Sequence, residues 1–313
     1  MIDQPFHEGE RRLQAAAGSF ERLAEAGQRV VRDFMPEQHR EFFTLLPWLL
    51  VGALDDDGQP WAGALAAPEG FVSSPDVRTL RVAATPAAHD PVAHAMREGA
   101  AVGLLGLQPH TRRRNRANGH VARVGAGGFE VAVSQSFGNC PRYIQAREPV
   151  FAPWPQAPHA ESLPGLDEEA QALIGAADTF FIASAHPLAA TSREPAHGVD
   201  VSHRGGKPGF VRVDAGGVLA VPDFAGNDFY NTLGNLLLQP RCGLLFIDHA
   251  NGELLHLAAR ATLVTQGPEV ERFAGARRVL RLEVTQALRV RRGLALRWGP
   301  AALSPQLQAT GHW

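Results

Sequence analysis

Cysteine is nearly absent from this sequence: among 313 residues only Cys140 and Cys242 carry a thiol. They lie far apart and form no C-x-x-C pair, which excludes a disulfide framework or zinc ribbon and fits a reducing compartment. An excess of one charge is also missing. With a formal net charge of −2 and a pI near 6.7, no global positive field draws nucleic acid or an anionic membrane to the protein, so any bound anion needs a local site. No stretch approaches the ~18 uninterrupted apolar residues of a membrane span. The N-terminal MIDQPFHEGERRLQAAAG lacks the basic region and apolar run of a secretory signal, so a cytoplasmic location is expected. Walker, Rossmann and G-x-S-x-G signatures are absent. His186, His197, His203, His249 and His256 show no metal-binding spacing, so no metal site is expected.

What is present is an ordinary globular composition, 45% hydrophobic and 20% charged, in a chain longer than the usual ~100–200 residues of one domain. From Glu8 to Arg40 the apolar residues Leu13, Ala16, Ala17, Phe20, Leu23, Ala24, Val30 and Val31 fall near a 3.6-residue period, which predicts helix. Met35-Pro36 breaks it, and Pro36 suits the first turn of a second short helix, PEQHREFFTLL. Both are expected to cover a sheet. Beyond Pro47 the texture turns to strand: WLLVGAL, an Asp57-Gly58 turn, then segments at 79–83, 101–107, 119–124 and 129–134. PVFAPWPQAPHAESLPG, residues 149–165, holds five prolines. It can enter no helix interior or central strand and reads as a linker.

The strand texture then returns. APEGFV at 67–72 matches GKPGFV at 206–211, and GLLG at 103–106 matches GLLF at 243–246. The offsets agree to within one residue, each pair is preceded by an apolar strand, and a period this long signals duplication of a whole domain. The expected organisation is a helical segment over 1–46, a first barrel over 47–148, the linker over 149–165, a second barrel over 166–297 and a tail over 298–313.

In this order of strands, and in DVSHRGGKPGFVRV, VPDFAGNDFYNTLGNLLLQPRCGLLFID and QSFGNCPRYI, the chain resembles the pyridoxamine 5′-phosphate oxidase superfamily. More narrowly, it resembles the bacterial flavin-nucleotide-binding branch in which two barrels share one chain. The likeness spans roughly residues 40–295. It implies a mainly β fold with flanking helices, two tandem six-stranded antiparallel split β-barrels packed as a pseudo-dimer, and FMN in the seam. Some relatives continue into flavin and iron–sulfur reductase modules, which implies a reductase as a potential partner. Closed barrels also remove exposed strand edges.

Four segments are candidates for chemistry. PDFAGNDFYNTLGN, residues 222–235, combines loop punctuation, Asn227 or Asp228 as a helix cap, and free N–H groups that favour phosphate. Asp223, Asn227 and Asn231 are its candidate ligands, while Asn235 reads as packing; a plain capped helix is the alternative. In SHRGGKPGF, Ser202, His203 and Arg204 offer donors, Gly205-Gly206 permits close approach of backbone to a ring, and Arg204 suits phosphate best. The alternative is a glycine-rich hairpin with solvated charges. The Arg-x-x-Leu-Leu-Lys pattern of the oxidase itself is absent from this strand, which argues against a vitamin B6 substrate. TRRRNRANG places Arg112, Arg114 and Arg116 on one strand face and Arg113 on the other. Fold analogy carries Arg114 and Arg116 across the seam to flavin or substrate; a solvated loop is the alternative. Cys140 sits in a turn beside Arg142 with no base to activate it.

The first half lacks these anchors, reading GALAA for SHRGG, and ATPAAHDPVAHAMREG where the second half has its Gly-Asn loop. The expectation is therefore one FMN per chain and flavin-mediated hydride or electron transfer to a small molecule, without nucleic acid or membrane as partner. The alternatives are a non-catalytic flavin carrier working with an electron-transfer partner, and a haem-binding protein using His203 and His256.

Overall fold

A computed structural model describes residues 4–313. The N-terminal region forms three helices, α1 (Glu8–Ala16), α2 (Phe20–Val30) and α3 (Glu37–Thr44). The single long helix expected from Glu8 is thus two, because Gly18 adopts a left-handed φ of 66° between them. α3 begins after Pro36 as the sequence predicts.

Seven strands follow: β1 (Trp48–Leu54), β2 (Pro60–Ala66), β3 (Val72–Asp76), β4 (Thr79–Val82), β5 (Ala101–Gln108), β6 (Arg113–Gly125) and β7 (Gly128–Gly138). The proline-rich segment carries two more, β8 (Pro149–Phe151) and β9 (His159–Leu163), before α4 (Glu168–Ala176). The second half contributes β10 (Thr179–Ala185), β11 (Val199–Gly205), β12 (Arg212–Asp214), β13 (Val218–Phe224), α5 (Asn231–Leu238), β14 (Arg241–Ile247), β15 (Leu254–Val264), α6 (Pro268–Glu271), β16 (Ala276–Arg291) and β17 (Leu296–Trp298).

The duplication is visible in the sheets. The first runs β2-β1-β5-β6-β7-β4-β3 and the second β11-β10-β14-β15-β16-β13-β12, the same order with every label advanced by nine; each path holds seven strands rather than the six expected, because a short hairpin partner, β3 or β12, extends its end. Pairing repeats as well, since Leu105 faces Arg116 and Leu245 faces His256. Gly70 and Gly209, matched in the sequence repeat, share left-handed φ values of 87° and 86°, a conformation that disfavours any residue with a Cβ.

Each sheet has its own core, one built on residues such as Leu49, Leu80 and Val131 and the other on Phe180, Leu219 and Phe246. A third core draws on both: Trp48, Leu50 and Leu105 from the first half pack with Phe181, Val201 and Leu245 from the second. The repeated glycines make this seam close. A Cβ at Gly103 would overlap the backbone of Val199, and one at Gly243 the backbone of Pro60, so each lets its strand touch the opposite half.

The linker expectation needs correction. β8 pairs with β17, and β9 adds to β16 at the sheet margin, positions where proline's missing N–H is tolerated. The tail is docked too, with Trp313 Nε1 donating to the Phe210 carbonyl at 2.8 Å. Among the described residues no helix is long and apolar enough to cross a membrane.

Candidate functional site

A solvent-connected cleft opens between the halves. β11, β13, β16 and the loop into α5 form one side; β6 and the turn after β7 form the other. Its lining contains six arginines, 114, 116, 142, 204, 277 and 278, against two carboxylates, Asp223 and Asp228. The structure therefore brings the basic strand of the first half and the polar loop of the second to one cleft. Ser202, His203, Arg204, Asp223, Asn227, Asn231, Arg114 and Arg116 all line this cleft.

The charges inside are unequally shared. Arg116 meets Asp200 at 2.6 Å and also reaches Ser202 Oγ. Asp223 is divided between Arg204 at 2.7 Å and Arg278 at 3.2 Å. Arg114 has no carboxylate within salt-bridge distance among the described residues; its Nε donates to the Cys140 carbonyl at 3.0 Å. Burial, together with Arg116 and Arg204 nearby, pushes the Arg114 guanidinium down to about 9. The Nε atoms of Arg116 and Arg204 and Nδ1 of His203 are buried and find no partner among the described residues. Burial, then the cations Arg114, Arg204 and Arg147, hold His203 well below its ordinary value, so its ring is neutral at neutral pH. The two guanidinium Nε–H groups are buried donors without acceptors, which suits an anion.

The loop carrying the predicted phosphate cradle is built differently from expectation. Neither Asn227 nor Asp228 caps α5: the N-cap is Tyr230, without a side-chain bond. Asn227 Oδ1 accepts from Phe229 N at 3.2 Å, closing a local turn instead. Asp228 and Tyr230 have positive φ, 61° and 63°, and across the cleft Tyr143 has 65°. Left-handed non-glycine residues cost roughly 1–2 kcal/mol each, and three around one cleft mark a place where surrounding contacts impose the backbone. Cross-seam bonds do this here, since Tyr143 Oη donates to the Ala225 carbonyl at 3.1 Å.

Two further expectations change. Gly206 does not line the cleft; it packs on Phe210, accepts from Gln145 Nε2 at 3.1 Å and donates to the Asp178 carbonyl. The close approach at Gly205 is made by the Tyr143 carbonyl, so these glycines serve the chain crossing the seam. The side-chain amide of Asn231 donates to Glu10 Oε1 at 2.5 Å, so one of its donors is committed to the N-terminal helix.

Tyr143, Tyr230, Thr232, Arg142, Arg277 and Arg278 were not singled out as ligands by sequence, yet all line the cleft. Arg278 lies over the Tyr230 ring at 4.9 Å, and Thr232 Oγ1 donates to Ser202 Oγ at 2.8 Å. The Arg277-Arg278 pair at the start of an apolar strand was the available signal. Cys140 also faces the cleft and is half-buried; Cys242 is fully buried, which pushes its thiol up to about 12.

The equivalent place in the first half is filled. Gly63, the counterpart of Ser202, lies so close to Asp90 and Val92 that a Cβ there would overlap both. Where β6 has Arg116, β15 has His256, fully buried with Nδ1 at 3.0 Å from the Ala62 carbonyl. A buried carboxylate and a neutral imidazole replace the arginines, and that environment rejects an anion. His203 and His256 thus occupy different environments, one open to the cleft and one sealed.

The structure also groups His7, Glu8 and His186, whose ligand atoms lie within 4.8 Å of one another. Nδ1 of His7 accepts from Gly9 N, and Nδ1 of His186 from Leu188 N, both at 3.1 Å. The protons of both neutral rings then sit on Nε2, the atoms that would have to coordinate, so in this arrangement the trio holds α1 rather than a cation.

No family model matches the sequence, and no curated protein matches it. Among solved structures, a point variant of HupZ from Group A Streptococcus is 12% identical, with 40% of this chain and 98% of that chain covered at a TM-score of 0.31. Another HupZ structure gives 13%, 39%, 90% and 0.30. HutZ, described as the heme storage protein from Vibrio cholerae, gives 16%, 40%, 93% and 0.28. At these scores neither fold family nor ligand carries across.

Proposed function

We propose that the chain is two tandem split barrels sharing a single FMN site, and that it works as an FMN-dependent oxidoreductase. The observation carrying this reading is the arginine-lined cleft at the seam, above all the half-buried Arg114 with no carboxylate partner. The cations lining the cleft exceed the carboxylates lining it, and a phosphate monoester, about −2 at neutral pH, is the charge that would offset the surplus. Arg114, Arg116, Arg204 and the donors of the loop into α5 would hold the phosphate. Bound FMN would supply hydride or electron transfer, while the protein contributes binding, orientation and the electrostatic surroundings. Positive side chains around the cleft favour the negatively charged reduced flavin over the neutral oxidised form. Neutral His203 offers a hydrogen bond rather than a proton in the physiological range.

The test is spectroscopic. Purified protein loaded with FMN should be yellow and should bleach with NADH or NADPH under anaerobic conditions; FMN that binds but is reduced by neither nucleotide moves the assignment to a flavin carrier serving a reductase. One observation favours a second reading: His203 is neutral, lines the cleft and leaves Nδ1 without a partner, as an iron ligand would. Haem titration giving a Soret shift that His203→Ala abolishes would select haem over flavin.

A further inference from the structure

α1 lies directly on α5. The approach needs two glycines: a Cβ at Gly9 would overlap the Gly234 carbonyl, and one at Gly234 would lie 2.6 Å from Glu10 backbone and side-chain atoms. Three contacts then run from this segment to the loop that walls the cleft. Glu10 Oε1 accepts from Asn231 Nδ2 at 2.5 Å, Gln14 Nε2 donates to the Phe229 carbonyl at 3.3 Å, and Arg22 reaches Asp228 at 3.3 Å. Phe6 closes the contact with its ring 5.2 Å from that of Phe229.

Glu10 is the centre of this arrangement. It is 3% exposed, and its second oxygen accepts from His7 N at 2.8 Å, completing a capping box at the start of α1. A buried carboxylate is costly unless its oxygens are satisfied, and here one oxygen is satisfied by the helix start and the other by a cleft residue. The backbone of Asp228 and Tyr230 is strained, so it needs such external restraint to persist.

We infer that Glu10 is a positioning residue for the ligand site: through Asn231 and the Gly9–Gly234 contact, α1 holds the 227–231 loop in its binding shape. This rests on the cleft being the ligand site. Its test uses the full chain with two probes, FMN and inorganic pyrophosphate, and three variants. Glu10→Ala removes the acceptor, Glu10→Gln restores one, and Leu80→Ala opens a cavity in the distant first core as a stability control.

The expected result is that Glu10→Ala weakens both probes by about tenfold or more, comparable to losing an outer hydrogen-bond partner of a metal ligand. Glu10→Gln should recover most of that affinity, and Leu80→Ala should lower Tm without changing either affinity. Wild-type affinity in Glu10→Ala, or an equal loss in Leu80→Ala, overturns the inference. If wild type takes pyrophosphate but not FMN, and Glu10→Ala still weakens pyrophosphate, the positioning role stands and the flavin assignment falls. If wild type binds neither probe, both fall.

Discussion

Replacing Arg114 by methionine should stabilise the ligand-free protein while damaging its ligand affinity. In the cleft this guanidinium has a carbonyl for a partner but no carboxylate among the described residues, and the fall of its pKa to about 9 corresponds to an upper bound of about 5 kcal/mol against the charged form. Partial exposure and solvent screening reduce that figure, and the lost hydrogen bond to Cys140 subtracts about 1 kcal/mol. A net gain of about 1–3 kcal/mol remains, a rise in Tm of roughly 2–5 °C for a chain of this length at ~2.1 cal/mol/K per residue. With ligand bound the sign reverses, since a charge-assisted bond to phosphate contributes about 1.5–3 kcal/mol, or roughly 10–150-fold in Kd. Thermal unfolding with and without FMN, plus a binding titration, reads both halves of the prediction. An Arg114→Met protein that melts lower when empty and binds FMN as tightly as wild type would refute the claim that the cleft stores unneutralised charge for an anion.

Other consequences are as direct. Gly103→Ala and Gly243→Ala should each destabilise by about 1–3 kcal/mol in chemical denaturation, because each places a methyl on the backbone of the opposite half. Burial holds His7 and His39 near 4 and His249 near 3, below the 6.5 of the unfolded chain. Their contribution is therefore complete above pH 6.5 and is lost as pH falls from there towards 4, at about 2 kcal/mol per group by pH 5. Glu10 and Asp90, both raised by burial, act in the opposite sense, so the clean readout is a comparison: His39→Gln should flatten the fall in Tm between pH 7 and 5. Cys140 should react with iodoacetamide while Cys242 does not, and saturating FMN should slow the reaction. Equal alkylation rates with and without FMN would place the ligand elsewhere.

The β-rich fold and its duplication were legible because they leave marks at fixed spacing: two Gly-Phe turns 139 residues apart that require the same left-handed backbone, and two Gly-Leu-Leu strands whose glycines make the seam close. Part of the cleft lining was also legible, since polar loops and arginine runs stand out between apolar strands. What escaped was long-range partnership. Nothing local to Asn231 announces that Glu10, 221 residues earlier, engages its amide. Nothing in Gly206 says that Phe210 and Gln145 enclose it. The loop after Asp223 looked like a capped helix start because Asn and Asp are good caps, but contacts across the seam impose positive φ on Asp228 and Tyr230 and move the helix start to Asn231. The proline-rich segment misled in another way, because proline forbids central strands yet leaves margins open, and both β8 and β9 use them.

The central claim, one anion-anchored flavin per chain, is tested most directly by titrating FMN into ligand-free protein and following the visible absorbance change. The expected result is saturation at one equivalent per chain, with competition by inorganic phosphate and weakened binding in Arg114→Met. Saturation at two equivalents, or no binding at any concentration, would contradict it.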